Sequence, residues 1–208
     1  KSKHGEKDIF ASHLLEELKR FQIRVSDAAH KEELTISSDY IINVEGVFDS
    51  FNLCEEKTLK LTYVLDHGAS LLGGEADIRF LEVTLDFLKR RKFEELRILF
   101  VVEQGVEDQD NYARLVSYLS KSGAKMKQVS RADFVQLCSQ NSIPASDVEF
   151  GLYGPCMLYI ARNTGSDTTG IYLRNRDIVS RYRKLFDQSW SSEGLTTSAP
   201  LSSNPVDT

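Results

Sequence analysis

The chain has 208 residues, of which 41% are hydrophobic and 27% charged, with 12 glycines and 4 prolines. That length supports one substantial core or at most two small domains and excludes a miniprotein held together by disulfides. No run approaches the roughly 18 apolar residues that cross a bilayer. The 31 acidic and 26 basic side chains give a formal charge of −5, which disfavours a dedicated phosphate-backbone binder, because such domains are usually net basic.

From Asp8 to Arg20, Ile9, Phe10, Leu14, Leu15 and Leu18 recur at helical spacing, and Phe21 to Val25 alternates apolar and polar side chains as a short strand would. Ile36, Tyr40, Ile41, Val44, Val47, Phe48 and Phe51 share one helical face, with a strand hairpin as the competing reading because several of these residues are β-branched. Thr58 to Leu65 (TLKLTYVL) is a strand that ends at Asp66-His67-Gly68, and a helix follows from about Glu75 to Arg91. Leu96 to Val102 (LRILFVV) is the most apolar strand, as expected of a central strand covered on both faces. A helix over Asp108–Lys121, stopped by Gly123, and a strand over Lys125–Val129 complete two successive βαβ units.

Beyond Val129 the pattern changes. A short helix, Arg131–Ser139, precedes closely spaced strands at Val148–Tyr153, Met157–Ala161 and Gly170–Leu173, which should pair antiparallel. A last amphipathic helix, about Arg176 to Trp190, buries Ile178, Val179, Tyr182, Leu185, Phe186 and Trp190. Ser191 to Thr208 has no aromatic, Lys or Arg and reads as a disordered tail. The expected fold class is α/β, with a mixed, mainly parallel central sheet flanked by helices. Residues 1–57 form an extension packed on the same domain, and 58–190 form the core.

Cys54, Cys138 and Cys156 are widely spaced, which suggests neither a disulfide framework nor a zinc site and fits three small buried hydrophobes in a reducing, cytoplasmic setting. The chain starts Lys-Ser-Lys-His without an apolar leader, and is expected to be a module of a larger regulatory protein of bacterial type.

In open α/β sheets ligands gather beyond the carboxyl ends of the parallel strands. Asp66, His67 and Glu103 occupy two such ends, and if the strands are neighbours they could hold a divalent cation or perform acid–base work. The glycine-rich link from Gly68 to Glu75 matches neither GxGxxG nor a P-loop and reads as a loop. Of two basic clusters, Lys89-Arg90-Arg91-Lys92 sits at a helix C-terminus, where the dipole favours cations and Glu94-Glu95 can neutralise them. The other comprises Arg174, Arg176, Arg181, Arg183 and Lys184, and its paired N–H groups suit phosphate or an acidic partner. His4, His13 and His30 lack metalloprotease spacing, and no serine lies in GxSxG, so a hydrolase triad has no support.

The order of elements in YARLVSYLSKSGAKMKQV, VEFGLYGPCMLYIAR and GIYLRNRDIVSRYRKLFDQSW resembles half of a phospholipase-D-like domain, over about residues 58–190. The resemblance implies an HxKxxxxD motif near Phe150 to Ile160, whose histidine attacks phosphorus and whose lysine steadies the phosphoryl oxygens. This chain has neither residue there, and His30-Lys31 has the wrong spacing and precedes the wrong elements. The resemblance therefore implies a degenerate, non-catalytic version. The expected function is a sensory or interaction module that needs no cofactor. It would bind a small anionic ligand or a protein partner through Asp66, His67, Glu103, Arg174 and Arg176, with homodimerisation open. The alternatives are a metal-dependent phosphoesterase or nuclease with Asp66 and Glu103 as ligands and His67 as base, and an assembly subunit docking acidic protein or nucleic acid.

Overall fold

A computed structural model describes residues 33–37, 56–65, 75–106, 110–164 and 167–192, together with helical positions 15, 16, 18–20, 22, 23, 26 and 30. The strands are β1 (Glu33–Ser37), β2 (Thr58–Leu65), β3 (Glu95–Val102), β4 (Lys125–Ser130), β5 (Phe150–Tyr153), β6 (Met157–Thr164) and β7 (Asp167–Leu173). The helices are α1 (Glu75–Lys89), α2 (Asp110–Lys121), α3 (Arg131–Gln140) and α4 (Arg176–Ser191). The strands form one sheet in the order β1-β7-β6-β5-β2-β3-β4.

The sheet is mixed and flanked by helices, as the sequence leads one to expect. Parallel pairing is confined to β2-β3-β4, and four of the six pairings among the described strands are antiparallel. The parallel share is smaller than expected because β1 joins the edge against β7, and the β5-β6-β7 meander, whose connections are too short for helical crossovers, adds beside β2.

Side-chain alternation sends two sets of apolar residues to opposite faces. Leu59, Leu61, Leu65, Ile98 and Phe100 meet Phe80, Leu81 and Leu85 of α1 and Tyr112 and Leu119 of α2. Leu99, Val101, Val129, Phe150 and Ile160 meet Phe134 and Cys138 of α3 and Val179, Tyr182, Leu185 and Phe186 of α4. The result is a three-layer arrangement that covers β3 on both sides, consistent with its continuous apolar run.

Three helices stop in the same way. After α1, α2 and α3, residues Arg91, Gly123 and Ser142 take positive φ (55°, 84° and 55°), and the next amide bonds back to Phe87, Leu119 and Cys138, respectively. Glycine is the residue that suits this conformation without strain, and only the stop at Gly123 was legible in the sequence.

Local readings fail at two places. Gln22 and Ile23 are helical rather than in a strand, because Leu15, Leu18 and Ile23 continue the spacing of the preceding helix and five alternating residues do not outweigh it. Ile36 and Ser37 belong to β1, paired with Gly170 and Thr169, rather than opening a helix. The remainder of that apolar segment lies outside the described residues, as do His4, His13, Cys54 and most of 191–208. Of the described cysteines, Cys138 is buried as expected. Cys156 is exposed because it sits in the tight β5–β6 turn, where its amide bonds the Tyr153 carbonyl.

Candidate functional site

β2 and β3 are parallel neighbours in a register that sets Leu65 beside Val102, so the two strand ends singled out by the sequence are adjacent. Asp66 and His67 lie outside the described residues, as does the link from Gly68 to Gly74. Glu103 follows β3 directly, and its carboxylate accepts a 2.5 Å hydrogen bond from Nη1 of Arg131, the first residue of α3. Its charge is thus met by a guanidinium.

Beside Glu103 lies an open groove of about 1190 Å³. It is bounded by Glu103 and Gln104 after β3, by Gln128–Ser130 at the carboxyl end of β4, and by the outward side of α3. The amino end of α3 is internally satisfied. The Ser130 hydroxyl donates to the Asp133 carboxylate at 2.7 Å and accepts from the Asp133 amide at 3.1 Å. A carboxylate therefore already occupies the place where a helix dipole would attract an anion. Among the charged residues that line the groove, Glu103 and Asp133 outnumber Arg131. Among the described residues no cluster of His, Cys, Asp or Glu has the form of a metal site.

Arg174 and Arg176 lie at the other end of the molecule. β5 runs against β2, β6 against β5 and β7 against β6, so β7 points opposite to β3, and its end, Leu173, sits level with Leu158 of β6. The structure therefore separates Arg174 and Arg176 from Glu103, and these residues do not converge on one ligand. Asn175 between the two arginines caps α4, its side-chain oxygen accepting from the Asp177 and Ile178 amides at 3.1 Å.

The basic residues of this region divide by partner. Arg183 is bonded to Glu56, and Arg181 donates to the Ser142 carbonyl at 3.4 Å. Arg174, Arg176 and Lys184 are exposed and make no ion pair among the described residues. In the other basic cluster, Arg90 pairs with Asp86 one turn earlier at 2.8 Å rather than with Glu94 or Glu95, since residues four apart share a helix face. Glu95 is instead drawn to Arg97 and Lys125. Burial works to raise its pKa, but the bonds from these two cations hold it below the usual carboxylate value.

Sequence reading missed that basic residues of the sheet, Lys60, Arg97 and Lys127, meet α4. Lys60, Arg97 and Lys125 are in register on three adjacent strands. Lys60 reaches Asp187 at 2.8 Å and lies over the Phe186 ring, while Arg97 lies over the Trp190 ring. Lys127 donates to the carbonyls of Trp190 and Ser192, closing the carboxyl end of α4 with a cation whose pKa burial pushes down. A strand written TLKLTYVL presents Lys60 to solvent by alternation, and only the packing of α4 shows that it is inside.

No protein-family model matches the chain, and no curated protein matches it. Among solved structures the chain is similar to TrmBL2, an archaeal chromatin protein whose structure shows a novel mode of DNA binding, with 6% identity and a TM-score of 0.39, covering 89% of this chain and 64% of that one. It is also similar to NucT from Helicobacter pylori, with 7% identity and a TM-score of 0.46, covering 77% of this chain and 96% of that one.

Proposed function

We propose that the chain is a degenerate phospholipase-D-like domain acting as a non-catalytic interaction module, which docks an acidic protein segment on the solvent side of α4. The charge pattern of that helix carries the reading. A helix dipole favours carboxylates at the amino end and cations at the carboxyl end by about 0.3–1 kcal/mol each. Here Arg174 and Arg176 flank the amino end and the last turn has no basic residue. These arginines oppose the dipole, and Arg174, Arg176 and Lys184 have no carboxylate partner among the described residues. Stability does not account for them, whereas recognition of carboxylates does.

A protein segment is favoured over a small anion because Arg174 and Arg176 line neither described cavity. Nucleic acid is disfavoured by the formal charge of −5. The absence of catalysis is supported by the hairpin β5–β6, where Phe150, Leu152, Leu158 and Ile160 form buried apolar pairs in place of the expected histidine and lysine.

The test measures binding of a fluorescent peptide of alternating Glu and Asp, and separately of duplex DNA, to the full chain and to Arg174→Glu/Arg176→Glu/Lys184→Glu. With about 0.5–1 kcal/mol per exposed contact, the triple variant should bind the peptide roughly 10- to 100-fold more weakly. Unchanged affinity, tighter binding of DNA than of peptide, or metal-dependent hydrolysis of a phosphodiester by the wild-type chain would refute the proposal.

A further inference from the structure

The basic cluster Lys89-Arg90-Arg91-Lys92, which the α4 face does not use, has a definite place in the sheet. β2, β3 and β4 are parallel, so the chain enters all three at one end. α1 and α2 finish at that end, because each leads into the next strand. The connection from α1 to β3 is held against the entry to β2, where the Glu94 amide donates to the Lys57 carbonyl at 2.8 Å. The β5–β6 turn lies at the same end, the Gly154 amide donating to the Thr58 carbonyl at 3.1 Å. β7 also finishes there, since Leu173 is level with Leu158, Leu152 and Lys60 across the sheet. Arg174 and Arg176 therefore share one rim with Lys57, Lys89, Arg91 and Lys121.

Stability accounts for part of this charge. Lys89 and Lys121 stand in the last turns of α1 and α2, where the dipole favours cations. That does not explain Lys57, which precedes a strand, or Arg91, whose φ of 55° is a conformation that glycine adopts without strain. Lys57, Lys89, Arg91 and Lys121 make no ion pair among the described residues. The carboxylates nearby are mostly engaged, Glu56 with Arg183, Asp86 with Arg90, and Glu95 with Arg97 and Lys125. Glu94 and Asp177 remain against the six cations of the rim. A chain of formal charge −5 thus carries a basic end.

Spacing selects the occupant. Strands lie about 4.8 Å apart, so the path from β7 to β4 is about 24 Å, or about seven residues of extended chain. Between the arginines and the remaining cations stands the uncharged turn Gly154-Pro155-Cys156, with Pro155 and Cys156 exposed. A phosphate backbone carries charge on every unit and would set phosphates against Glu94 and Asp177. A protein segment can place carboxylates opposite the cations and neutral residues between them.

We propose that the acidic segment docked at α4 continues in extended form across this rim, from Arg174 and Arg176 to Lys57, Arg91, Lys89 and Lys121. The partner then carries two acidic blocks joined by a neutral linker. This inference rests on the acidic-partner reading of α4 and adds a second contact to it. Once the first block is bound, the second binds as an intramolecular event.

The experiment compares a labelled single-block peptide, Glu-Asp-Glu-Asp, with a two-block peptide in which Gly-Ser-Gly-Ser joins two such blocks. The full chain should bind the two-block peptide at least 10-fold more tightly. Lys57→Glu/Lys89→Glu/Arg91→Glu/Lys121→Glu should abolish that gain and leave single-block binding unchanged, which also shows that the variant is folded. Arg91→Gly suits the left-handed conformation, so it should melt no lower than the wild type. It should still bind the two-block peptide about 2- to 5-fold more weakly. The inference is overturned if the second block adds nothing, if the gain survives the rim reversal, or if Arg91→Gly binds normally. Duplex DNA bound more tightly than the two-block peptide, and lost with the rim reversal, would overturn it in favour of nucleic acid. If the α4 reversal weakens both peptides while the rim reversal changes neither, this inference alone falls. If the α4 reversal leaves single-block binding intact, the acidic-partner reading falls and takes this inference with it.

Discussion

The contact between Lys60 and Asp187 joins the helix that presents the proposed docking face to the sheet, and its two halves should respond unequally to mutation. The Lys60 side chain is 7% exposed and Asp187 is 47% exposed, with 2.8 Å between Nζ and Oδ1. Asp187→Ala leaves a buried ammonium with the Phe186 ring face as its remaining described neighbour. Breaking a fully buried pair costs about 3–5 kcal/mol. Water can reach the vacated, half-exposed position, so a loss of about 2 kcal/mol is expected. Lys60→Met removes the charge that needed desolvation and keeps the stem that packs beneath α4, so it should stay within about 1 kcal/mol of the wild type. The double variant should resemble Lys60→Met, which gives a coupling energy of about 1.5–2 kcal/mol. Urea unfolding with a common slope measures all four corners, and Asp187→Ala should melt about 4–8 °C lower, at 2–4 °C per kcal/mol for a domain of this size. If Lys60→Met costs as much as Asp187→Ala, or the coupling falls below about 0.5 kcal/mol, the pair does not anchor the helix as described.

Gly170→Ala should lose about 1–3 kcal/mol, because a Cβ there would lie 2.3 Å from Cε2 of the buried Tyr159 ring. In a Tyr159→Leu background the penalty should largely vanish, and equal penalties in both backgrounds would remove Tyr159 as its cause. Ser130→Ala should lose about 1 kcal/mol through the cap of α3; a loss below about 0.3 kcal/mol in the same urea measurement would show that water replaces it. Burial raises the Cys138 thiol from 9.0 to about 11, so the folded state holds its proton more tightly than the unfolded state does. The resulting stability is complete below pH 9 and is lost as the pH climbs to 11. At about 1.4 kcal/mol per unit, Cys138→Ala should lose up to roughly 2–3 kcal/mol less than the wild type over that interval. Tyr153 and Tyr172, raised chiefly by burial, add a decline with the same sign above pH 10 in both chains, and parallel curves would refute the assignment.

Much of the local structure was legible because periodicity, caps and turn residues act within a few positions. The apolar run from Leu96 to Val102 announced a strand buried on both faces, and TLKLTYVL coincides with β2 from Thr58 to Leu65. The candidate site was less legible. Glu103 was found from its position at a strand end, but its partner Arg131 was not, because the ion pair spans 28 residues and depends on where α3 begins.

From β2 onward, sequence alone determined which described segments become helices and strands and which of their stripes are apolar, since those properties follow from side-chain direction along a single element, whereas β1 at Ile36 and Ser37 is fixed by its pairing with β7. Tertiary structure decided the rest. Three successive reversals from β2 through β5 and β6 to β7 turn Leu173 away from the end that bears Glu103, placing Arg174 and Arg176 on a different surface. The burial of Lys60 depends on Asp187, 127 residues away. Pairing partners and burial of this kind arise only when distant parts of the chain meet, and no local spacing encodes them.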